Sequence, residues 1–237
     1  MPILHFDVEQ GSGRWMSMRS VIPTASNFNE IISPAKGEPS ASRWKYAIRI
    51  IAARMLNWQP ESLDKIAHIA AGKEQEPQAV AQLEILRDIQ TQPIGFVTSN
   101  DGRFGASPDR VVMAGKRVDI AVECKCPTIP THLEYLLLGH GNDYRTQVQG
   151  HLYVCEADKA IFHSYHARMP PHTVDTGRDE PFIKKLADAL ERFHDEVEEL
   201  YLKAQALGSY EAFPSLLTPV EAEYASQLAG EPEAMET

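Results

Sequence analysis

Cysteine is scarce in this sequence, with three residues (Cys124, Cys126 and Cys155) among 237. They are too few and too close for a disulfide framework, and an odd count suits a reducing compartment. Cys124-Lys125-Cys126 is a CxC rather than a CxxC, so a four-cysteine zinc or iron–sulfur site is excluded, and a site completed by histidine lacks the usual paired spacing. The nine histidines show no HExxH or similar pattern. Long apolar runs are missing as well: none approaches the roughly 18 residues that a transmembrane helix needs. The opening MPILHFDVEQGSGRW carries Asp7 and no apolar core, unlike a secretory signal. The expectation is a cytoplasmic protein with no membrane segment.

A basic excess is also lacking, since the net charge is -10. The imbalance is local. Residues 175–237 hold 15 acidic and 5 basic residues, whereas residues 1–174 hold 18 of each, and residues 1–60 carry 7 basic against 4 acidic. Phosphate binding depends on local positive charge rather than on the isoelectric point, so a polyanionic ligand is not excluded. The acidic C-terminal region reads as a solvated helix face or as a docking surface for a partner protein.

What the chain does have is punctuated periodicity. Residues 15–33 read as a loop followed by a short helix capped near Thr24 or Ser26. Residues 34–43, rich in Pro, Gly and Ser, read as a flexible loop. Helical spacing covers 44–56, 61–71 and 77–90, with Pro77 expected in a first turn. Ile94–Thr98, Arg110–Met113 and Val118–Glu123 read as strands, the last two joined by a hairpin turn at Ala114-Gly115-Lys116. Helices are expected at 131–138, 143–153, 180–207 and 218–228, and a strand at 159–167; the last residues, 229–237, look disordered. Helices, a strand meander, helix, strand and helix in that order predict one α/β domain over residues 1–237 with a mixed sheet.

The informative residues are Asp109, Glu123 and Lys125. Glu123 and Lys125 are two apart near a strand end and share one face. Asp109 begins the preceding strand and can lie across the hairpin from Glu123. Two adjacent carboxylates repel unless a cation sits between them, and hard oxygen ligands suit magnesium, which keeps waters and accepts phosphate oxygens. A lysine beside such a pair can position or activate the attacking water, and the pattern points to phosphodiester hydrolysis.

Further motifs carry a family resemblance. Trp15-x3-Arg19-x4-Thr24-Ala25-Ser26, Gly72-Lys73-x2-Glu76, Gly105-x-Ser107-Pro108-Asp109, Glu123-Cys124-Lys125-Cys126-Pro127 and Gln147-Val148-Gln149 occur in one order across residues 15–155. In sequence and spacing they resemble the lambda exonuclease/YqaJ recombinase family of the PD-(D/E)XK superfamily. The chain departs from that pattern at Met16, where His is frequent, and in the 34–43 loop. The resemblance implies a restriction-endonuclease-like core: a central mixed sheet flanked by helices, with extra N- and C-terminal helices.

It also implies roles. Asp109, Glu123 and the Cys124 carbonyl would bind Mg2+, or Mn2+ in its place. Glu76 would be an outer or second-metal carboxylate. Lys125 would activate the water and Gln147 would orient Lys125 or the water. Arg19, Ser26 and Ser107 would hold a DNA 5′-phosphate. Ile69 and Trp44 fall where a strand-splitting wedge stands, and Lys36 where a loop cation contacts DNA. Each has a plainer rival: Trp15 as core, Ile69 and Trp44 as core on amphipathic helices, Gln147 as an ordinary helix polar residue, Ser107 as a turn residue before Pro108.

The activity implied is 5′→3′ digestion of one strand of linear duplex DNA, leaving a 3′ overhang. The partners implied are duplex DNA ends, two further copies in a homotrimeric ring, and a single-strand annealing protein, in a bacterial host that carries the phage or prophage gene. A restriction- or repair-type endonuclease would share the triad without needing the Arg19/Ser26 pocket. An inactive end-binding protein would lack the triad.

Overall fold

The computed structural model describes residues 1–57, 67–142 and 144–207, with side chains omitted for residues 67–73. The expected helix over 218–228, the disordered end and residues 61–66 lie outside the described residues.

Two sheets organise the chain. Three short strands, β1 (Ile3–His5), β3 (Phe96–Thr98) and β4 (Gly105–Ala106), form one in the order β1-β3-β4. The larger sheet runs β2 (Gln92–Pro93), β5 (Arg110–Ala114), β6 (Arg117–Lys125), β7 (Lys159–Ser164) and β8 (His172–Gly177). β5 and β6 are the expected hairpin, antiparallel with a register shift between Val112 and Met113. β6 and β7 are parallel, which requires a crossover. Helices α4 (Ile129–Leu138) and α5 (Arg145–Val154) supply it.

Alternation along β6 assigns its two faces. Val122 and Cys124 join Ile161 of β7 against Ala79 and Leu83 of α3 (Ala67–Arg87). Ala121 points the other way, into the main core with residues of α2 (Arg43–Leu56), α5 and α6 (Glu180–Gln205). Glu123 and Lys125 share the parity of Ala121 and therefore face α5.

The helices differ from the sequence reading in identifiable ways. Residues 13–20 form α1 rather than a loop, capped by Ser12, whose Oγ accepts from the Trp15 N–H. None of its residues is fully buried, so it leaves little hydrophobic signature. Pro77 lies inside α3, which runs through it. β8 was invisible because its residues are mostly half-buried or exposed, and an edge strand with little burial does not alternate in hydropathy.

The 34–43 loop is tied down rather than loose. Ile32 bridges Pro39, Arg145 donates to the carbonyls of Pro34 and Ala35, and Lys185 donates to that of Lys36. The acidic C-terminal helix is both core and counter-charge. Phe182, Leu186, Leu190 and Phe193 of α6 are buried, while Glu196, Glu198 and Glu191 pair with Arg43, Arg54 and Arg103. Part of the basic excess of residues 1–60 is thereby spent inside the protein.

His163 on β7 is fully buried, and its Nδ1 lies 2.8 Å from Thr173 Oγ1 of β8. Burial, with Arg87 and His132 nearby, holds its pKa down at about 4. A histidine titrating near 6.5 when unfolded but about 4 when folded leaves stability intact above pH 6.5 and removes it as pH falls toward 4. His163→Gln is therefore expected to flatten the decline of the urea midpoint over that window. The upper bound is about 1.4 kcal/mol per pH unit, less whatever water screens at the ring. Parallel declines in the two proteins would contradict the assignment.

Candidate active site

The register of the hairpin builds the site. Arg110 pairs with Val122, so the next step sets Asp109 opposite Glu123, at the end of β6. The Cys124 N–H donates to Asp109 Oδ2 at 2.7 Å. Glu123 is 2% exposed. Its Oε1 receives the Lys125 ammonium and, at 2.7 Å, the Gln147 amide from α5. Lys125 Nζ also stands 5.6 Å from the centre of the Tyr144 ring. Gln147 is thus a partner of the carboxylate that pairs with Lys125, not an idle helix polar residue.

The charges are strongly coupled. Burial pushes the Asp109 carboxyl well above its ordinary range, with Glu123 and Glu76 adding to the effect and Lys125 opposing it. Burial alone would lower Lys125, but Glu123 and Asp109 outweigh it and hold the ammonium protonated. Burial, reinforced by Asp109 and Glu123, raises the Cys124 thiol, and burial first among several causes pushes Cys126 up to about 11. Neither thiol ionises near neutrality. The Cys124 side chain packs toward α3, so only its backbone faces the carboxylates.

Glu123 Oε2 is buried and has no hydrogen-bond partner. Among the described residues, no three His, Cys, Asp or Glu side chains converge as a ready-made metal cage. A pair of hard carboxylates with one orphaned oxygen fits an open magnesium-type site, in which waters and phosphate oxygens complete the shell. It does not fit a closed zinc site.

An ionised Asp109 therefore costs the metal-free fold stability. Because its folded pKa is raised, that cost is present above the folded pKa and disappears as pH falls below the unfolded value, near 3.9. Asp109→Asn is expected to stabilise the chelator-treated protein at pH 8 by on the order of 1–3 kcal/mol, or about 2–4 °C per kcal/mol in thermal melts. The gain should vanish near pH 4.

A second cluster stands beside the first. Thr24 bridges Gly105 of β4, and the Gly105 N–H donates to the Pro23 carbonyl. This brings the 3₁₀ helix Ala25–Glu30, which begins one residue after Thr24, next to the Ser107 segment. A Cβ on Gly105 would lie 2.4 Å from Phe96 Cζ, so the close approach requires glycine there. Arg19 Nη2 donates to Ser26 Oγ at 2.9 Å, and its guanidinium lies 4.2 Å over the Trp15 ring. Trp15 Nε1 donates to Ser107 Oγ at 2.8 Å and to the Gly95 carbonyl at 3.0 Å.

Arg19, Ser26 and Ser107 are thus linked through Trp15, which is half-buried and polar-bonded rather than simple core. Burial lowers the Arg19 pKa while Tyr46 and Glu123 oppose the shift, so Arg19 is within electrostatic reach of Glu123. A cleft of about 790 Å³ is lined among others by Phe6, Trp15, Glu76, Val80, Ile94 and Asp109, so it touches the first cluster at Asp109 and the second at Trp15.

The remaining sequence-selected residues are placed differently. Trp44 is 46% exposed on α2 beneath the Arg43 guanidinium, which removes its core reading. Lys36 is exposed on the tethered loop. Ile69 lies where side chains are not described. Two residues missed in the sequence are Tyr144, beneath Lys125, and His151, whose Nδ1 is 3.6 Å from Glu123 Oε2. The only sequence signal for His151 is its position four residues after Gln147, on the same helix face.

Residues 14–158 match the model of the YqaJ-like viral recombinase domain. Among solved structures, the chain is similar to an alkaline exonuclease, LHK-Exo, from Laribacter hongkongensis: 25% identity and a TM-score of 0.67 over 83% of this chain and 100% of that one. In complex with dAMP, LHK-Exo gives 27% and 0.68 over the same shares. A phage-related exonuclease from Haemophilus somnus 129PT shares the fold, at 15% identity and a TM-score of 0.61, over 79% of this chain and 98% of that one. No curated protein matches. The mixed sheet flanked by helices is of the PD-(D/E)XK type. The family match spans α1 to the end of α5 and holds every motif that builds the two clusters, and this chain belongs to the family of YqaJ-like viral recombinase domains.

Proposed function

We propose that the protein is a metal-dependent 5′→3′ exonuclease of linear duplex DNA that leaves a 3′ single-stranded overhang for recombination by strand annealing. The observation that carries the reading is the adjacency of the Arg19–Trp15–Ser107 and Ser26 cluster to Asp109, Glu123 and Lys125. An arginine fork with two hydroxyls suits a terminal phosphate, and the cleft lined by Trp15, Glu76 and Asp109 is of a size that holds a nucleotide. The complex of LHK-Exo with dAMP is consistent with that class of product.

Asp109, Glu123 and the Cys124 carbonyl would hold magnesium or manganese, with Glu76 as an outer carboxylate. When bound, the ion supplies Lewis acidity and a water of lowered pKa. Arg19, Ser26 and Ser107 fix the terminal phosphate and so set the first internucleotide phosphate against the carboxylates. Lys125 positions the attacking water. Once the two carboxylates are neutralised, Lys125 loses the field that holds its proton and can accept one from the water. Gln147 keeps Glu123 and Lys125 in register. Water attacks phosphorus, the bond to the 3′ oxygen of the first nucleotide breaks, and a nucleoside 5′-monophosphate leaves. The shortened strand then carries a new 5′-phosphate, the group the Arg19 cluster recognises.

Trp44 and Lys36, both exposed, and Ile69 remain proposed DNA contacts, the first and last as strand-splitting wedges. The chain is read as one nuclease domain over 1–237 that works as a homotrimeric ring around DNA with an annealing protein, in the cytoplasm of a bacterial host. No described helix is long and apolar enough to cross a membrane. Because the inner face of α6 is core, a partner that docks on this helix would meet its outer acidic face.

The test uses magnesium with three substrates: linear duplex with a 5′-phosphate, the same duplex with a 5′-hydroxyl, and a covalently closed circle. Preferential loss of the 5′-phosphorylated strand with the circle intact is expected. Cutting of the circle would instead establish a restriction- or repair-type endonuclease on the same triad. No cleavage with magnesium or manganese would leave an end-binding protein.

A further inference from the structure

The two oxygens of Glu123 are served unequally. Oε1 receives both Lys125 and Gln147, while Oε2 is buried and has no hydrogen-bond partner. Facing Oε2 at 3.6 Å is Nδ1 of His151, which is also buried and has no hydrogen-bond partner. The two residues are 2% and 1% exposed, so bulk water does not serve either group. A separation of 3.6 Å is too long for a hydrogen bond, and leaving donor and acceptor buried and unmade is costly. A small closing movement would give Nδ1–H one lone pair of Oε2 and leave the other for a cation.

The helix that carries His151 is fixed where this requires. α5 presents Gln147 and His151 on one face, one turn apart. Gly150, between them and next to His151, lets α5 pack against the 3₁₀ helix: a Cβ there would lie 2.7 Å from Phe28 Cδ2 and 3.0 Å from Ala25 Cβ. A buried position selected for packing alone would be better filled by an apolar side chain, which would leave no orphaned nitrogen.

We propose that His151 is a positioning residue for Glu123: its Nδ1–H holds Oε2 while Gln147 holds Oε1, so that one face of α5 fixes the plane in which the carboxylate is offered to a divalent cation. Partners of this kind, one step behind a ligand, orient it and tune affinity for the metal. The inference rests on the metal-dependent reading above.

The experiment compares full-length wild type with His151→Phe and His151→Leu, two apolar replacements of different volume, and with His151→Asn, whose amide N–H occupies nearly the place of Nδ1–H. The readouts are Mn2+ binding to the chelator-treated protein by electron paramagnetic resonance, the Mg2+ concentration that half-saturates DNA degradation, and the urea unfolding midpoint without metal. The apolar variants are expected to weaken Mn2+ binding and raise the half-saturating Mg2+ by about 10- to 100-fold, with unfolding midpoints equal to or above wild type. His151→Asn should stay within about threefold of wild type.

Unchanged Mn2+ affinity in a folded apolar variant would overturn the proposal. So would an asparagine variant as impaired as the apolar ones, or a wild type that binds no Mn2+. A wild type that binds Mn2+ but degrades no linear DNA would sink the exonuclease reading alone, and the affinity comparison would still decide the role of His151.

Discussion

Replacing Lys125 by alanine is expected to slow strand degradation by about 10²- to 10⁴-fold while leaving binding to a 5′-phosphorylated DNA end within a few-fold of wild type. Lys125 reaches Glu123 and is held protonated by Glu123 and Asp109 against the effect of burial. It has two duties. In the metal-free protein it is the counter-charge for two buried carboxylates; in the reaction proposed above it would handle the proton of the attacking water. The Arg19 cluster involves neither duty, so end binding should survive.

Lys125→Arg should not rescue the rate, because a guanidinium does not give up its proton. Without the lysine the carboxylates repel unopposed, so the alanine variant should be less stable than wild type in chelator and regain stability with Mg2+. Single-turnover cleavage with saturating enzyme, read beside equilibrium binding to the same end-labelled duplex, separates rate from affinity. A variant that cleaves at the wild-type rate, or that loses end binding as fully as cleavage, would remove Lys125 from the chemical step.

The second large effect concerns Arg19. Its guanidinium is stacked on Trp15 and bonded to Ser26, and Trp15 in turn holds Ser107. If this assembly grips the terminal phosphate, wild type should strongly prefer 5′-phosphate to 5′-hydroxyl ends and Arg19→Ala should erase the preference. Each charge-assisted hydrogen bond to phosphate is worth about 1.5–3 kcal/mol, so a lost fork corresponds to roughly 100-fold or more in kcat/KM on phosphorylated ends. On 5′-hydroxyl ends the variant and wild type should differ little.

Arg19→Lys should recover only part, since a point charge replaces a planar fork. Trp15→Phe keeps the stacking surface but removes the indole N–H. It should give an intermediate loss, because Ser107 loses the indole donor and keeps only its own bond to the Gly95 carbonyl. A phosphate preference unchanged in Arg19→Ala would move the recognition site away from this cluster.

How much of this was legible in the sequence depends on whether the signal was local. Glu123 and Lys125 were legible because strand alternation is a property of adjacent residues, and β6 puts both on the α5 face as that rule requires. The hairpin turn brings Asp109 to the same end, but counting back from the Ala114–Arg117 pair would set it opposite Val122; the register shift between Val112 and Met113 moves it opposite Glu123. The long amphipathic α6 announced itself by its period, and the structure adds an Asp179 cap that accepts from the Phe182 N–H. By contrast α1 and β8 have little buried apolar surface, and Pro77 reads as a helix start although tertiary packing carries α3 through it.

The sequence by itself thus determined the chemistry on offer: a carboxylate pair with a lysine, a family of motifs in order, and a mixed α/β fold. Tertiary structure alone decided which groups meet. Trp15, expected as core, became the link between Arg19 and Ser107 because Gly95 and Ser107 converge on its indole N–H. Two of the basic residues near the N-terminus, Arg43 and Arg54, answer acids of α6. His151 came to face Glu123 because Gly150 lets α5 approach the 3₁₀ helix closely. Such contacts join residues distant in sequence, and no periodicity records them: their energy depends on a few ångströms of approach that only the folded chain sets.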